Sequence, residues 1–230
     1  MAGSEPLLEA VVFDLDGLMV NTEELDHQVG QILLERRGRV FSKELKRRMM
    51  GLPAPIAFQL MIQAHGLADT PEKLQTEGDQ LLAELLPSRL QTMPGLADLV
   101  DALEKAVIPK AVATSSPRSF ASTVLSRFDL EPRFHFVLTS DDVNRAKPHP
   151  EIYLKAAELL GVSPGRMMVL EDSENGCRAA VQAGAWVVAV PAKHSRDHRY
   201  YGARLVASSL NDPRIFRALG IGRPPQTIAT

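Results

Sequence analysis

The chain has 230 residues, of which 45% are apolar, and its 26 Lys and Arg nearly balance its 28 Asp and Glu. This composition excludes collagen-like, fibrous and disordered proteins, and the length suits one large domain or one domain that carries an insertion. The formal charge of -2 supplies no basic surface for a nucleic-acid polymer.

Three further features of the sequence predict the compartment of the protein. The only cysteine, Cys177, cannot form an internal disulfide, and a free thiol favours a reducing, cytoplasmic compartment. The segment from Met1 to Glu9 lacks a basic start and contains Glu5, so it does not resemble a signal peptide. No apolar run approaches the roughly 20 residues that span a bilayer, and we expect no membrane association.

Short apolar runs rich in Val and Ala predict strands that are buried on both faces. They alternate with helical patterns, which is typical of a doubly wound, mostly parallel, Rossmann-like α/β sheet. The predicted strands are Leu7 to Phe13, Ala111 to Ala113, Phe136 to Leu138, Met167 to Leu170 and Val187 to Val190. The predicted helices between and after them are Gly95 to Lys105, Pro117 to Arg127, Pro150 to Leu160 and Glu174 to Ala183.

One long segment, residues 22 to 93, breaks this alternation. It contains several helical patterns and no convincing strand, and Pro87 and Pro94 bracket its exit. We therefore predict an inserted helical cap domain at 22–93 and an α/β core domain made of 1–21 and 94–230. The end of the chain, 221–230, is expected to fray.

The first predicted strand ends in two carboxylates, Asp14 and Asp16, followed by Gly17. Open α/β sheets bind ligands at the carboxyl ends of their strands. Two anions so close together favour a hard cation, and Mg²⁺ is the usual occupant of such carboxylate sites. Gly17 allows the backbone to turn sharply beside a ligand.

Polar residues end three other segments of the predicted sheet. Glu171 and Asp172 could complete the same cation site, or Asp172 or Ser173 could simply cap the next helix. The run Thr114-Ser115-Ser116 could bind an anionic oxygen or form a capping loop. Lys147, between Ala146 and Pro148, could be a solvated charge or a cation fixed beside the carboxylates.

Taken together, these segments resemble the four ordered motifs of the haloacid dehalogenase superfamily of aspartate-dependent phosphotransferases. The helical insertion matches the position of that family's cap. The turn containing Asn21 is most similar to the β-phosphoglucomutase-like and pseudouridine-phosphatase-like branch, which most often has Asp at this position. The matching residues are Asp14-x-Asp16-Gly17, Thr114, Lys147-Pro148 and Glu171-Asp172.

The resemblance implies a mechanism. Asp14 attacks phosphorus and becomes an aspartyl-phosphate, while Asp16 protonates the leaving oxygen and later deprotonates the attacking water. A dehalogenase usually lacks the second carboxylate, because a halide needs no proton, so Asp16 favours phosphate esters.

The resemblance also implies the binding roles. Mg²⁺ would be held by Asp14, the main-chain carbonyl of Asp16 and Asp172, with Glu171 acting through water. Phosphoryl oxygens would be bound by Thr114 and by the N–H of Ser115 beside Gly17, and Lys147 would offset their charge.

The expected activity is hydrolysis of a small phosphorylated metabolite, either a sugar phosphate or a nucleoside monophosphate. The cap loop from Met50 to Pro55 is expected to face that substrate. The mutases of this branch use a cap arginine and a histidine at positions that align with Ala54 and Asp26, with His27 one residue late. These differences favour a phosphatase over a hexose phosphate mutase, which remains an alternative.

Two non-enzymatic alternatives stay open. A receiver-type phosphoacceptor also combines acidic residues with Thr or Ser and Lys, but receivers are about half as long and lack the insertion. A catalytically idle module on the same fold is the other.

His194 and His198 have the spacing of one helical face, and we interpret them as surface residues because no third soft ligand accompanies them. The oligomeric state is open and a monomer is compatible with the sequence.

Overall fold

The structure is a computed structural model that describes residues 7–49, 52, 54–193, 195, 196 and 198–223. Its contacts divide the chain into two compact units, one formed by Met1–Val20 with Thr92–Thr230 and the other by Asn21–Gln91. We call the first the core unit and the second the cap unit. In the part of the chain that is described, no helix combines the length and apolarity needed to cross a bilayer.

Among the described residues, helices and strands alternate along the core unit as far as β5, and four consecutive helices occupy the cap unit. In chain order they are β1 (Ala10–Phe13), α1 (Thr22–Glu35), α2 (Lys43–Met49), α3 (Ala54–His65), α4 (Pro71–Arg89), α5 (Leu96–Lys105), β2 (Lys110–Ala113), α6 (Arg118–Ser126), β3 (Val137–Leu138), α7 (Glu151–Leu160), β4 (Met167–Glu171), α8 (Glu174–Gln182), β5 (Trp186–Ala189), β6 (Leu205–Val206) and α9 (Pro213–Ala218).

The core unit is built on a six-stranded sheet in the order β3-β2-β1-β4-β5-β6, in which every neighbouring pair is parallel. All residues of β1, β2, β4 and β5 are buried, and apart from Lys110 and Glu171 at strand ends they are apolar, as expected for strands covered on both faces. Residues of α7 and α8 pack in one cluster with Val12 and Ala111 of the sheet. The predicted α/β class and parallel Rossmann-like sheet are confirmed.

Two elements of the core unit were not predicted. Strand β6 has only two residues, pairs with β5 alone, and leaves Val206 half exposed. Helix α9 is a six-residue helix that begins after Asp212, whose side chain accepts from the N–H of Arg214. Both are too short to show a hydrophobic period. Most of the segment expected to fray, 224–230, lies outside the described residues.

The cap unit packs four helices, α1 to α4, around a core of its own. Leu33, Leu74 and Met61 come from three of these helices and are fully buried together. Helix α4 begins at Thr70, whose side chain accepts from the N–H of Lys73. It continues through Pro87 to Arg89 rather than ending at the proline, because Pro87 lies in the last turn and removes a single hydrogen bond there.

Asn21 joins the two ends of the cap unit. Its side-chain Nδ2 donates to the carbonyl of Arg89 at 3.1 Å, and its Oδ1 accepts from the N–H of Gln91 at 2.7 Å. Its own N–H donates to the carbonyl of Gln91. An Asp at this position, as in most of the branch that the sequence resembles, could not donate to Arg89. Asn21 therefore has a definite structural use in this chain.

Candidate active site

Three neighbouring strands deliver the polar residues of the site at one edge of the sheet. Asp14 follows β1, Thr114 follows β2, and Glu171 is the last residue of β4. Because β1 pairs in parallel with both β2 and β4, these carboxyl ends meet. The hydrogen bonding between strands continues into the site. The N–H of Asp14 donates to the carbonyl of Leu170, and the N–H of Thr114 donates to the carbonyl of Leu138.

Lys147 reaches this edge from the loop before α7, and its peptide bond to Pro148 is cis. Its Nζ lies 2.6 Å from Oδ1 of Asp14 and 2.7 Å from Oε1 of Glu171, and it donates to the carbonyl of Ala113 at 3.0 Å. Only 5% of the side chain is exposed. The ammonium is therefore held inside the cluster and is not a solvated surface charge.

Glu171 is the most enclosed carboxylate of the cluster. The Tyr153 hydroxyl donates to its Oε1 at 2.7 Å, while Oε2 accepts from the N–H and the Oγ of Ser173 at 3.2 and 2.9 Å. Ser173 also caps α8, because its Oγ accepts from the N–H of Gly176. The capping alternative is thus correct for Ser173, which uses the same hydroxyl to bind Glu171.

Asp16 is bound by hydroxyl groups from the loop after β2. Its Oδ2 accepts from Thr114 Oγ1 at 2.8 Å and from Ser116 Oγ at 2.7 Å. The N–H of Ser116 donates to Thr114 Oγ1, which fixes the direction of the threonine hydroxyl. Ser115 lies beside this pair and is exposed. Gly17 has a φ of +79°, in the left-handed region that favours glycine, directly after Asp16.

Burial controls the charges of the cluster. Burial, and next the charge of Glu171, raise the pKa of Asp14 well above its usual range, while Lys147 opposes them. Burial acts to lower the pKa of Lys147, but Asp14 and Glu171 outweigh it, so its pKa is held above its usual range. The lysine therefore stays charged.

The carboxylates provide a set of ligand atoms suited to a hard cation. One oxygen from each of Asp14, Glu171 and Asp172 lies within 4.8 Å of the others, and all three residues are buried. Three carboxylates face the single ammonium of Lys147, so full ionisation leaves an excess of negative charge. All the ligand atoms are oxygens, as Mg²⁺ and Ca²⁺ require. The residues present therefore fit a divalent cation.

Most of the site residues predicted from the sequence lie together in the structure. Hydrogen bonds connect Asp14, Lys147 and Glu171 in one group, and Asp16 and Thr114 in another. Three contributors were not predicted as site residues: Ser116, Tyr153 and Ser173. Ser116 and Ser173 stand beside predicted residues in the sequence, whereas nothing in the sequence distinguishes Tyr153 from an ordinary helix residue.

Other residues singled out in the sequence lie outside this cluster or outside the described residues. Met50, Gly51 and Pro53 of the cap loop, and His194, lie outside the described residues. His198 is not on a helix, so the idea of a shared helical face with His194 is wrong for the described part of that segment. Within the cap unit, Asp26, His27 and Ala54 line a cavity of about 250 Å³.

The structure places a buried cluster of carboxylates around a lysine at the carboxyl ends of a parallel sheet. Residues 11–190 match the family model described as haloacid dehalogenase-like hydrolase. The chain belongs to the haloacid dehalogenase-like hydrolase family.

Individual relatives support the same class. The chain is 32% identical to "Phosphorylated carbohydrates phosphatase" of Thermotoga maritima, covering 93% of this chain and 92% of that protein. It is 33% identical to "Probable pseudouridine-5'-phosphatase" of Drosophila melanogaster, covering 87% and 89%. A HAD family hydrolase from Deinococcus radiodurans, solved with bound phosphate and sodium, has a TM-score of 0.80 at 28% identity and covers 95% and 99%. The predicted superfamily, branch and phosphatase class are confirmed.

Proposed function

We propose that this chain hydrolyses a small phosphorylated metabolite through an aspartyl-phosphate on Asp14. The observation that carries the proposal is the buried contact between Lys147 and Asp14 at the edge of the sheet, next to an aspartate held by two hydroxyls. A lysine that touches the nucleophile can stabilise the negative charge of a phosphoryl group.

The proposed reaction has two displacements. An oxygen of Asp14 forms a bond to phosphorus, the bond from phosphorus to the ester oxygen breaks, and Asp16 gives that oxygen a proton. Water then attacks phosphorus and gives its proton to Asp16, and the bond between Asp14 and phosphorus breaks. One ester and one water become one alcohol and one inorganic phosphate, and both aspartates return to their starting states.

Asp16 suits the acid and base role because its environment differs from that of Asp14. It is partly exposed, and Thr114 and Ser116 hold one of its oxygens. Two carboxylates in different environments can divide the roles of nucleophile and proton carrier. In this proposal the N–H of Ser115 binds a phosphoryl oxygen beside Gly17. Thr114 does so as well, when its single hydroxyl proton turns from Asp16 to the ester.

The proposed cation is Mg²⁺, with Asp14, Asp172 and the main-chain carbonyl of Asp16 as its protein ligands. When bound, it would neutralise the excess negative charge of the cluster and stabilise charge that develops on the phosphoryl group. The protein's own contribution is to hold the Lys147 ammonium against Asp14, where it opposes the rise in the pKa of that carboxyl, and to keep the cluster out of bulk water.

The substrate class is proposed from the relatives, whose names specify phosphorylated carbohydrates and pseudouridine 5'-phosphate. A sugar phosphate or a nucleoside monophosphate is therefore the first choice. A cytoplasmic location is part of the same proposal. It is supported by the single cysteine, Cys177, which is a buried free thiol.

The test is a panel of phosphorylated metabolites assayed for inorganic phosphate with and without Mg²⁺. We expect multiple turnovers by the wild-type chain, and no measurable turnover by Asp14→Asn, because an amide cannot act as the nucleophile. The matched control is Asp101→Asn on α5, which removes an exposed carboxylate outside the site and leaves turnover unchanged.

Other outcomes point to the alternatives. If β-glucose 1-phosphate with a bisphosphate activator is isomerised without phosphate release, the chain is a mutase. If the chain is phosphorylated once and does not turn over, it is a phosphoacceptor of the receiver type. Normal turnover by folded Asp14→Asn would disprove the mechanism.

A further inference from the structure

The loop after β5 carries a local excess of positive charge. Residues 191–199 contain Lys193, Arg196 and Arg199 against the single acidic residue Asp197, whereas the whole chain has 26 Lys and Arg against 28 Asp and Glu. All three cationic residues are exposed. No described residue forms an ion pair with any of the three. The loop therefore presents to solvent a positive charge that does not serve to hold the fold together.

This loop begins at the edge of the sheet where the site lies. Strand β5 runs parallel to β4, so its carboxyl end lies beside the carboxyl end of β4. The N–H of Val190, directly after β5, donates to the carbonyl of Glu171 at 2.7 Å. Strand β6 is parallel to β5, so the chain must cross to the opposite edge before β6 begins. Residues 191–199 form the first part of this crossing.

Tyr200 and Ser195 hold the loop against the site. The Tyr200 hydroxyl oxygen lies 2.8 Å from the carbonyl oxygen of Asp172 and 2.7 Å from that of Ser195, and its single proton can be donated to either. Ser195 is fully buried, and its Oγ accepts from the N–H of Ala192 at 3.1 Å. The loop is thus a turn with a buried centre that lies next to Asp172, a residue to which the proposed function assigns the cation.

We infer that Lys193 and Arg196, which flank Ser195, form a cationic rim that attracts phosphate esters to the site. The inference rests on the proposed function and goes beyond it, because it assigns residues that act on the substrate before the reaction and do not touch the reacting atoms. Arg199 adds a third charge to the same loop.

The electrostatics of the site explain why such a rim is useful. Lys147 provides the single ammonium beside three buried carboxylates, which are those of Asp14, Glu171 and Asp172. A phosphate monoester carries about 1.5 to 2 negative charges at neutral pH, so the ionised cluster repels it. Exposed cations at the edge of a site oppose this repulsion, and they raise the local concentration and the association rate of an anionic ligand by about 10- to 1000-fold.

The first experiment measures kcat and KM of the double variant Lys193→Gln/Arg196→Gln with the ester that the wild-type chain hydrolyses fastest. At low ionic strength we expect KM to rise about fivefold, with kcat within about twofold of wild type, because the charges attract the ester and take no part in the reaction. At about 1 M ionic strength the Debye length is only about 3 Å, and the two KM values should converge.

The matched control is Lys105→Gln/Arg204→Gln. It removes one exposed lysine and one exposed arginine from the core unit, at the end of α5 and just before β6, where the chain is at the amino edge of the sheet. This variant has the same formal charge as the rim variant and should keep the wild-type KM at every salt concentration. Circular dichroism and thermal unfolding establish that both variants are folded. Each single rim variant should give about half of the effect on log KM.

The second experiment needs no turnover and measures the Kd of inorganic phosphate by isothermal titration calorimetry. We expect Lys193→Gln/Arg196→Gln to raise the Kd about fivefold at low ionic strength and to match wild type at about 1 M. The control variant should bind phosphate as wild type does. Equal weakening in both double variants would show that only the net charge of the chain matters, and the rim would then have no role.

Two further results would overturn the inference. One is a wild-type KM in the rim variant at low ionic strength, which would make these residues ordinary solvated charges. The other is a rise in KM that persists at about 1 M ionic strength, because a long-range attraction between exposed charges is screened there. Failure of the proposed function looks different: the wild-type chain would release no phosphate from any ester, while the phosphate titrations would still compare the rim with its control.

Discussion

Gly176 lies in the first turn of α8, where alanine would normally favour the helix. Here the added methyl would overlap the Glu171 carboxylate, and the backbone has little freedom to move because the Gly176 N–H donates to Ser173. We predict that Gly176→Ala lowers kcat at least about tenfold and lowers the free energy of unfolding by about 1–3 kcal/mol. Initial rates and urea unfolding measure the two effects.

The matched control for this prediction is Gly165→Ala. A Cβ at Gly165 meets only the carbonyl of Gly184 at 3.8 Å, which is an ordinary contact. This variant should keep wild-type activity. Equal behaviour of the two alanine variants would mean that the space beside Glu171 has no importance.

The sequence identified the residues of the cluster whose chemistry is distinctive, and it missed those whose role depends only on position. Asp14 and Lys147 were identified because they belong to an ordered set of motifs that resembles the family's, whereas each segment alone left an alternative open. Tyr153 was predicted only as part of a helix, since a tyrosine hydroxyl gives no sign of which carboxylate it will reach. Ser116 was within a noted run, but its neighbour Ser115 was assigned the role.

At the scale of elements, burial determined what could be predicted. Strands β1, β2, β4 and β5 are enclosed on both faces, so each appears in the sequence as an apolar run. The edge strand β6 is half exposed and two residues long, and it carries no such signal. A proline predicts a helix end only statistically, and α4 passes Pro87 because the last turn tolerates it.

Helix α5 is connected to the rest of the core unit by an ion pair that titrates in acid. Arg133 donates to both oxygens of Glu104, at 3.0 and 2.6 Å, and Lys110 of β2 lies 3.1 Å from Oε1. The hydrogen bonds from Arg133 lower the pKa of Glu104 from 4.5 to about 2. Because the pKa is lower in the folded chain, the pair stabilises the fold above pH 4.5, and this stability is lost as the pH falls toward 2.

We therefore predict that wild type is more stable than Glu104→Gln at neutral pH, and that the difference shrinks between pH 4.5 and about 2. Glu104 is 42% exposed, so solvent screening keeps the difference to about 1 kcal/mol or less. Urea unfolding at a series of pH values measures it. In an Arg133→Gln background the difference should be much smaller at every pH, and an unchanged difference there would refute the assignment.

At the scale of the whole molecule, two hydrophobic cores make separate stability possible. In the cap unit, Arg37 donates to Asp69 and to Glu77 while only 15% exposed, and it thereby connects the end of α1 to α4 and the turn before it. We predict that Arg37→Met lowers the free energy of local opening of α1 and α4 by about 1–3 kcal/mol, since the two carboxylates lose three charged hydrogen bonds and keep only the more exposed partners Lys73 and Arg36. Hydrogen exchange of the cap helices measures this loss.

The hydrogen-exchange measurement on Arg37→Met also compares the core unit with the cap unit. Amides of β1 and β4 in the core unit should keep wild-type protection in Arg37→Met. The matched control is Arg36→Met, because Arg36 is 52% exposed and pairs only with Glu77 in this network. Uniform loss of protection along the chain would show that the two units do not open separately.

The pairing of Val20 with Thr92 has a consequence for how this architecture can vary. These residues form an isolated antiparallel bridge, so the chain leaves the core unit and returns to it at points only about 5 Å apart. A two-residue turn can span such a gap. The insertion point is therefore a modular junction, at which grafted segments of other lengths could replace residues 21–91 without altering the register of any strand.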